Sequence, residues 1–262
     1  MELNKIYNED CLQTMARMPD GFVDLVVTSP PYDNLRAYKG YSFDFEATAQ
    51  ELYRVVKPGG VVVWIVGDET KNGSETGTSF RQALYFMEVG FCLYDTMIYQ
   101  KIGAPSPQKP EIRYLPCFEY MFVLCKGNRP KTINLIQKPN AERPGKTEIV
   151  TQRQRSGDLK KCIKQNRESS PLSNVWLIDS INGARESSDI HPAAFPEILP
   201  KRHIYTWSNE GDLVYDPFMG SGTTAKMAHL QNRNWIGSET SSEYVKAAEK
   251  CIKPYLDQLA LF

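Results

Sequence analysis

The chain contains little of what metal and redox sites require. Only three of its 262 residues are histidine, and its six cysteines include no Cys-x-x-Cys pair. Structural zinc and iron sites usually draw several such ligands from short, regular spacings. The composition therefore predicts no metal site, and it favours reduced thiols in a cytosolic protein over a disulfide framework.

Long hydrophobic runs are also lacking. No apolar stretch is long enough to span a bilayer, and the first ten residues, MELNKIYNED, lack the charged-then-apolar pattern of a signal peptide. With 41% hydrophobic and 24% charged residues, the composition is typical of a globular protein. We therefore expect a cytoplasmic protein without membrane contact.

The net charge of the whole chain is zero, but one segment of it is strongly basic. The 47-residue segment 127–173 contains eleven Lys and Arg residues against four Asp and Glu residues, a net charge of +7, which leaves −7 for the remainder. Such a basic segment is typical of a surface that binds a polyanion. Because the segment is polar and weakly periodic, a solvated or disordered insertion is the alternative interpretation.

Outside this segment, strand-like and helix-like patterns alternate. They predict a mixed, mostly parallel sheet with helices on both faces, an α/β fold in which 93–100 and 120–124 form an antiparallel hairpin. The predicted strands are 22–28, 60–66, 93–100, 120–124, 213–215 and 235–239, and the predicted helices are 46–56, 79–89, 197–207, 225–231 and 242–252. The chain is thereby divided into residues 1–126, 127–173 and 174–262.

Two loops directly follow predicted buried strands. Ser29-Pro30-Pro31-Tyr32 places two prolines after an apolar run, and prolines end a sheet ladder and stiffen the chain that follows. The sequence DPFMGSGTT, at 216–224, places two glycines between a strand and a helix, where the backbone can approach a ligand closely. It lacks the lysine of a P-loop, so phosphate binding is not indicated. An ordinary strand end and an ordinary strand–turn–helix are the alternatives.

An acidic residue ends the next predicted strand. Glu239 lies 17 residues beyond Gly222, and in dinucleotide-binding folds an acid at this place hydrogen-bonds ribose hydroxyls. Asp216 beside the glycines disfavours an anionic pyrophosphate but suits a cofactor with ammonium and sulfonium groups. The pattern favours S-adenosyl-L-methionine over NAD, whose fingerprint would have a third glycine where Ala225 stands.

The two loops together resemble those of the amino-methyltransferases of DNA. That family combines a [DNS]-P-P-[YFW] loop with a D-x-F-x-G-x-G loop, here residues 29–32 and 216–222, and the order of the two resembles its permuted β group. The similarity extends over nearly all of the chain outside 127–173. It implies a Rossmann-like, S-adenosylmethionine-dependent methyltransferase fold, with 127–173 as an inserted target recognition region.

The resemblance also implies roles for individual residues. The catalytic loop is Ser29, Pro30, Pro31 and Tyr32. The cofactor-binding positions are Asp10, Cys11, His191, Ala193, Phe195, Asp216, Phe218, Gly220, Gly222, Thr223, Thr224 and Glu239. The expected DNA-binding residues are Arg129, Lys131, Arg143, Lys146, Arg153, Arg155, Lys160 and Lys161. Expected partners are double-stranded DNA, a second copy of the chain and a cognate restriction endonuclease.

The implied reaction is site-specific methylation of an exocyclic amino group on a base flipped out of the duplex. The Ser29 hydroxyl and the Pro30 carbonyl would accept the amino hydrogens, while Tyr32 would stack on the base. In this family S-P-P-Y accompanies mainly N4-cytosine and D-P-P-Y mainly N6-adenine, which favours cytosine and keeps adenine as the alternative. RNA methylation and an inactive nucleic-acid-binding relic are the further alternatives.

Overall fold

The computed structural model describes residues 1–31, 43–102, 114, 116–140, 145, 147–165, 167–179 and 196–258. They form two compact units. The first unit combines Met1–Asn134 with Asn174–Phe262, and the second is Leu135–Ser173. The second unit lies within the predicted insertion 127–173, but residues 127–134 belong to the first unit.

The first unit contains an eight-stranded sheet, six helices and a short hairpin among the residues described. The helices are α1 (Cys11–Ala16), α2 (Phe45–Val55), α3 (Thr78–Val89), α4 (Ile198–Trp207), α5 (Thr223–His229) and α6 (Ser242–Gln258). The sheet strands are β1 (Lys5–Tyr7), β2 (Val23–Thr28), β3 (Val56–Val66), β6 (Cys92–Ile102), β7 (Phe118–Cys125), β12 (Val175–Asp179), β13 (Leu213–Asp216) and β14 (Asn234–Ser238), and the hairpin is β4 (Thr70–Lys71) with β5 (Ser74–Glu75).

The sheet has the strand order β1-β14-β13-β2-β3-β7-β6-β12. Within it only β7 runs antiparallel to its neighbours, β3 and β6. The other pairs are parallel. The predictions of a mostly parallel α/β sheet and of an antiparallel hairpin after α3 are therefore confirmed.

Helices cover the sheet on both faces because its central strands are apolar on both sides. Leu25, Val27 and Val63 pack with α4, α5 and α6 in one hydrophobic cluster. Val62 and Trp64 pack with α1, α2 and α3 in the other. This double burial explains why β2 and the second half of β3 read as continuous apolar runs instead of alternating ones.

The neighbouring strands β2 and β13 form the switch point of the sheet. After β13 the chain crosses through α5 to β14 on one side, and after β2 it crosses through α2 to β3 on the other. The two crossovers leave a crevice at the carboxyl ends of these strands, the place where open α/β sheets bind ligands. Both loops singled out in the sequence begin there.

The second unit consists of two antiparallel strand pairs. β8 (Gln137–Pro139) pairs with β11 (Ser169–Pro171), and β9 (Thr147–Arg153) pairs with β10 (Leu159–Gln165). The β9–β10 pair runs over seven residues of each strand. The described residues of this unit thus form paired strands, in contrast to the alternative of a disordered insertion.

Within the described residues, no helix is long and apolar enough to cross a membrane. The same residues contain no group of three or more His, Cys, Asp and Glu side chains that could hold a metal ion.

Candidate active site

A buried hydrogen bond joins the two loops at the switch point. The Thr28 hydroxyl, at the end of β2, donates to Asp216 Oδ1 over 2.6 Å. The same oxygen accepts the Phe218 N–H at 3.0 Å, which fixes the turn after β13. A third contact runs from Thr224 Oγ1 to the Val27 carbonyl at 3.4 Å. The segment Ser29-Pro30-Pro31 therefore follows a strand end that is hydrogen-bonded to the glycine loop.

Asp216 is almost fully buried, with 2% of its surface exposed. Burial raises the pKa of its carboxyl group to about 6, against the opposing hydrogen bonds from Thr28, Thr224 and the Phe218 amide. The nearby Glu239 carboxylate raises the pKa further. The carboxylate of Asp216 thus fixes the glycine loop through its hydrogen bonds. It also adds negative potential to the crevice.

Glu239 lies at the carboxyl end of the neighbouring strand β14 and is partly exposed. Its Oε2 accepts the Gly220 N–H at 2.9 Å, and its Oε1 accepts the Ser241 N–H at 2.8 Å. Burial raises the pKa of this carboxyl group as well, while the backbone amides oppose the shift. The Thr240 amide and hydroxyl also donate to this carboxylate, and because Glu239 is half-exposed, a ligand in the crevice can still reach it.

The end of β1 holds the segment around Glu239. The Glu239 N–H donates to the Tyr7 carbonyl at 3.0 Å, and Asn8 Nδ2 donates to the Glu239 carbonyl at 2.8 Å. Asp10 follows as the N-cap of α1, where its Oδ1 accepts the Leu12 N–H at 2.8 Å. The structure therefore brings Asp10, Asp216 and Glu239 to one edge of the sheet. Sequence reasoning missed Asn8, whose role depends on the pairing of β1 with β14.

The two glycines of the loop have different structural roles. Gly220 presents its N–H to Glu239. Gly222 has a φ of +84°, and a Cβ there would lie 2.9 Å from the Ala248 Cβ of α6. Glycine at position 222 therefore permits close packing of α5 on α6, a role that the sequence did not predict beside the expected approach to a ligand. Thr223 and Thr224 begin α5 and are buried.

An aromatic cluster supports one side of the glycine loop. The Phe218 ring lies 4.8 Å from the Phe43 ring and 6.2 Å from the Trp64 ring, measured between centroids. Trp64 is fully buried, and its Nε1 donates to Gln82 Oε1 at 2.9 Å. Phe218 itself is half-exposed, so one part of its ring is packed while another remains accessible. Neither Phe43 nor Trp64 carried a sequence signal beyond being apolar.

The first three residues of the predicted catalytic loop directly follow Thr28. Pro30 is buried, while Ser29 and Pro31 are half-buried. The fourth residue, Tyr32, lies outside the described residues, as do the predicted cofactor positions His191, Ala193 and Phe195.

Cys11 is a packed thiol at the start of α1. It is buried, and its sulfur lies 3.9 Å from Thr48 Oγ1. Burial raises the pKa of the thiol to about 12, so the group is neutral at physiological pH. This environment indicates a packing role, in contrast to the cofactor contact expected by resemblance.

The predicted DNA-binding residues separate into groups. Arg129 and Lys131 belong to the first unit, where the Lys131 N–H donates to the Gly59 carbonyl at 2.9 Å, near the amino end of β3. A strand rises about 3.3 Å per residue, which puts this contact about 20 Å from the carboxyl end of β3. The exposed Arg153, Arg155, Lys160 and Lys161 lie on or beside β9 and β10, and Arg143 and Lys146 fall outside the described residues.

Comparison with solved structures identifies the class of fold. The structure of PvuII DNA methyltransferase (cytosine-N4-specific) matches with a TM-score of 0.67 and 22% identity, over 97% of this chain and 92% of that one. The structure of TTHA0409 from Thermus thermophilus, complexed with S-adenosyl-L-methionine, matches with a TM-score of 0.63 and 25% identity over 96% and 95%. The fold is therefore that of S-adenosylmethionine-dependent DNA methyltransferases.

Sequence comparison identifies the family. Residues 23–250 match the DNA methylase family of N6- and N4-methyltransferases. Orphan methyltransferase M.BamHII of Bacillus amyloliquefaciens is 55% identical over 246 residues, which cover 90% of this chain and 91% of that protein. Type II methyltransferase M.BglII of Bacillus subtilis is 28% identical over 98% of this chain and 71% of its own length. The chain belongs to the DNA methylase family.

Replacing Asp216 by Asn tests how its burial affects stability. A carboxyl group whose pKa is raised on folding stabilises the fold when protonated, and this contribution is lost as pH rises through about 6. The stability of the wild-type protein relative to Asp216→Asn should therefore fall between pH 5 and pH 7.5, by about 1.4 kcal/mol. Asparagine can still accept the Thr28 and Phe218 hydrogen bonds through its carbonyl oxygen.

Urea unfolding of both proteins at the two pH values measures this difference. Glu249→Gln, which neutralises an exposed carboxylate on α6, provides the matched control and should give no comparable change. Parallel pH profiles for wild type and Asp216→Asn would contradict the assignment of a destabilising buried charge.

Proposed function

We propose that this DNA amino-methyltransferase methylates N4 of cytosine at a specific DNA site. The hydrogen bond from Thr28 to Asp216 carries the proposal, because it joins the end of the SPP segment to the glycine loop. S-adenosyl-L-methionine is the cofactor, and when bound it supplies a methyl group made electrophilic by the sulfonium. The chain's own residues then have to bind this cofactor and aim a weakly nucleophilic amine at it.

The residues at the crevice fit this cofactor. Glu239 is half-exposed and would accept from the ribose hydroxyls, and it lies at the strand end where that contact is made in related folds. Asp10 would accept from the adenine amino group, and the accessible part of the Phe218 ring would pack against the adenine. Buried Asp216 favours the positive charge of the methionine end through space. Cys11 and Gly222 are left out of this set because packing accounts for both.

Ser29 and Pro30 would activate the amine. The lone pair of an exocyclic amino group is delocalised into the ring, and acceptors for its two hydrogens localise the pair on nitrogen. The Ser29 hydroxyl oxygen and the Pro30 carbonyl are suitable acceptors, and two prolines with fixed φ hold them in place. Tyr32 remains the proposed stacking residue for the flipped base, on sequence grounds alone.

The choice of cytosine rests on the loop sequence. Serine at position 29 stands where N6-adenine enzymes of the family mainly have aspartate. The solved neighbour of similar fold, PvuII DNA methyltransferase, is described as cytosine-N4-specific, which supports the same choice. N6-adenine is the second candidate, because the acceptor geometry suits either amine.

Mass spectrometry of digested DNA tests the proposed function. The purified protein is incubated with S-adenosyl-L-methionine and unmethylated duplex DNA, and the nucleosides are then separated. N4-methylcytosine is the expected product. N6-methyladenine would overturn the choice of base but keep the reaction. RNA substrates run in parallel would identify an RNA methyltransferase, and no methylation of either polymer would support an inactive relic.

Ser29→Ala tests the activation of the amine. We expect kcat to fall by about 10²–10³-fold, since one preorganised hydrogen-bond acceptor is lost. The Kd for S-adenosylhomocysteine should stay within about twofold, because none of the proposed cofactor contacts involves Ser29. Ser74→Ala on the exposed hairpin strand β5 is the matched control and should change neither value. A large loss of cofactor affinity in Ser29→Ala would instead assign the loop to the cofactor pocket.

We further propose that the second unit binds DNA through β9 and β10. Residues 147–165 contain five Lys and Arg residues against two acids, and the described residues of this ribbon are almost all exposed. A two-stranded ribbon has the dimensions that the major groove of B-DNA admits. Lys160 and Lys161 are adjacent in β10, so their side chains lie on opposite faces of the ribbon.

Lys160→Ala and Lys161→Ala identify which face meets the DNA. Each lost phosphate contact should lower the slope of log K against log salt by about 0.9 and weaken DNA binding without changing cofactor binding. Fluorescence anisotropy at several salt concentrations measures both quantities. Lys250→Ala, at an exposed position of α6, is the matched control and should keep the full slope. Unchanged slopes in both ribbon variants would contradict the proposed interface.

Two protein partners are also proposed, a restriction endonuclease and a second copy of the chain. A cognate restriction endonuclease is proposed because M.BglII and M.BamHI are described as Type II methyltransferases, although M.BamHII, at 55% identity, is described as an orphan. A second copy of the chain is the other proposed partner.

A further inference from the structure

The ribbon of β9 and β10 exposes its large apolar side chains. Ile149 and Ile163 lie directly opposite each other in the register, and their exposed fractions are 74% and 76%. Leu159, nearer the turn of the ribbon, is exposed by 66%. A two-stranded ribbon is only marginally stable by itself and gains stability by burying apolar surface. Two opposed isoleucines that stay exposed therefore indicate a surface that binds something else.

The two isoleucines share one face of the ribbon with positive charge. Side chains alternate between the faces along each strand, and directly opposite residues lie on the same face. Arg153, opposite Leu159, and Lys161, opposite Thr151, are therefore on the side of the isoleucines. We refer to this surface as the Ile149 face, defined by Ile149, Thr151, Arg153, Leu159, Lys161 and Ile163. These six residues include two cations and no carboxylate.

The opposite face of the ribbon has a different character. Val150 and Cys162 are also directly opposite each other, but both are half-buried. Glu148 and Lys160 lie on this second face, so it combines an acid with a base. The smaller apolar pair is thus the more buried one, although burial of the isoleucines would stabilise the ribbon more. This inversion favours the Ile149 face as the binding surface.

The charge and the length of the Ile149 face fit a nucleic-acid duplex. Along the strands, Lys161 stands about 7 Å from Ile163, and Arg153 about 13 Å from Ile149. With 3.4 Å between successive base pairs, these distances correspond to about two and four base pairs. The cations can therefore bind phosphates or guanine edges on either side of a base that the isoleucines contact.

The chemistry of the two isoleucines selects one base. The edges that bases present in the major groove are hydrogen-bond donors and acceptors, except for the C5-methyl group of thymine. An isoleucine side chain has no polar atom, so packing it against a donor or acceptor would leave that group unpaired. Packing it against the thymine methyl group has no such cost and buries apolar surface on both sides.

We propose that the Ile149 face enters the major groove and reads thymine through contact of Ile149 and Ile163 with its C5-methyl group. The inference rests on the proposed binding of DNA by β9 and β10, and it assigns the face and the base. Lys161 and Arg153 then hold the flanking phosphates or guanines. The recognition site contains at least one A·T pair as a consequence.

Replacement of thymine by uracil tests the contact. The full chain, with S-adenosylhomocysteine, first selects its preferred duplex from a random library, which requires no methyl transfer. Fluorescence anisotropy then gives the Kd for that site with thymine and with uracil, which lacks only the methyl group. The wild-type protein should bind the thymine duplex more tightly, by about fourfold for each methyl group contacted. Equal Kd values, a selected site without A·T pairs, or no selected site would each overturn the proposal.

Alanine variants test whether the thymine preference belongs to the Ile149 face. The double variant Ile149→Ala/Ile163→Ala should bind the two duplexes with Kd values within about twofold of each other. Val150→Ala, on the opposite face, is the matched control and should keep the wild-type ratio. The ratio is taken within each variant, so a general loss of affinity does not change it.

A thymine preference that persists in the double variant would come from the shape of the DNA or from another part of the chain, and it would overturn the role of the isoleucines. Another segment of the chain packed on the Ile149 face would give the same unchanged ratio together with a lower unfolding temperature. Should the double variant bind too weakly for a ratio, the single variants Ile149→Ala and Ile163→Ala replace it, and each should lower the ratio.

The salt dependence of DNA binding separates this inference from the proposed function. Lys161→Ala should lower the slope of log K against log salt, while Lys160→Ala, on the opposite face, should not. A lower slope in Lys160→Ala alone would overturn the assigned face but keep the ribbon as the DNA-binding element. Unchanged slopes in both would contradict the ribbon interface and this inference with it. A thymine preference in a protein that methylates no DNA would contradict the proposed reaction alone.

Discussion

The hydrogen bond from Thr28 to Asp216 connects two loops that are 188 residues apart in the chain. It forms because β2 and β13 are parallel neighbours whose carboxyl ends meet at the switch point of the sheet. In a buried site a hydrogen bond to a carboxylate is strong, and an unpaired polar group there is costly. The positions of the Ser29-Pro30-Pro31 segment and the glycine loop are therefore not independent. Whatever orders one loop, including a ligand in the crevice, acts on the other through Asp216.

The same arrangement makes the crevice electrostatically costly without a ligand. Burial raises the pKa of both Asp216 and Glu239, which means that the folded protein holds two carboxylates in an environment that disfavours their charge. A cofactor with cationic groups offsets part of this cost when it binds, and any ligand that binds only the folded state stabilises the fold. If the cofactor binds at this acidic edge, as proposed, its binding and the stability of the fold are coupled. Such strain is commonly concentrated at functional sites.

The sequence predicted the strands and loops that depend on local patterns. It did not predict contacts that depend on which strands become neighbours in the sheet. Apolar runs bounded by Gly and Pro located the central strands, and the glycine loop and Glu239, which the sequence predicted to act together, are joined by a hydrogen bond. No local pattern distinguishes Thr28 from any threonine that ends a strand, because its partner is fixed only when β2 meets β13. The basic composition of 127–173 likewise included Lys131, which a hydrogen bond to Gly59 ties to the first unit. A count of charges shows how basic a segment is, but it does not show where each side chain lies in the fold.

The zero net charge of the chain is the sum of a basic second unit and an acidic remainder. The second unit, residues 135–173, has nine Lys and Arg residues against four acids, so the rest of the chain has a net charge of −5. A uniformly basic surface would hold DNA in many orientations. With the proposed interface on β9 and β10, long-range attraction would act mainly on the second unit, and it would weaken with salt. Segregated charge would then favour orientations of the duplex that bring its phosphates to this unit before any base is contacted, which a neutral but evenly mixed surface would not do.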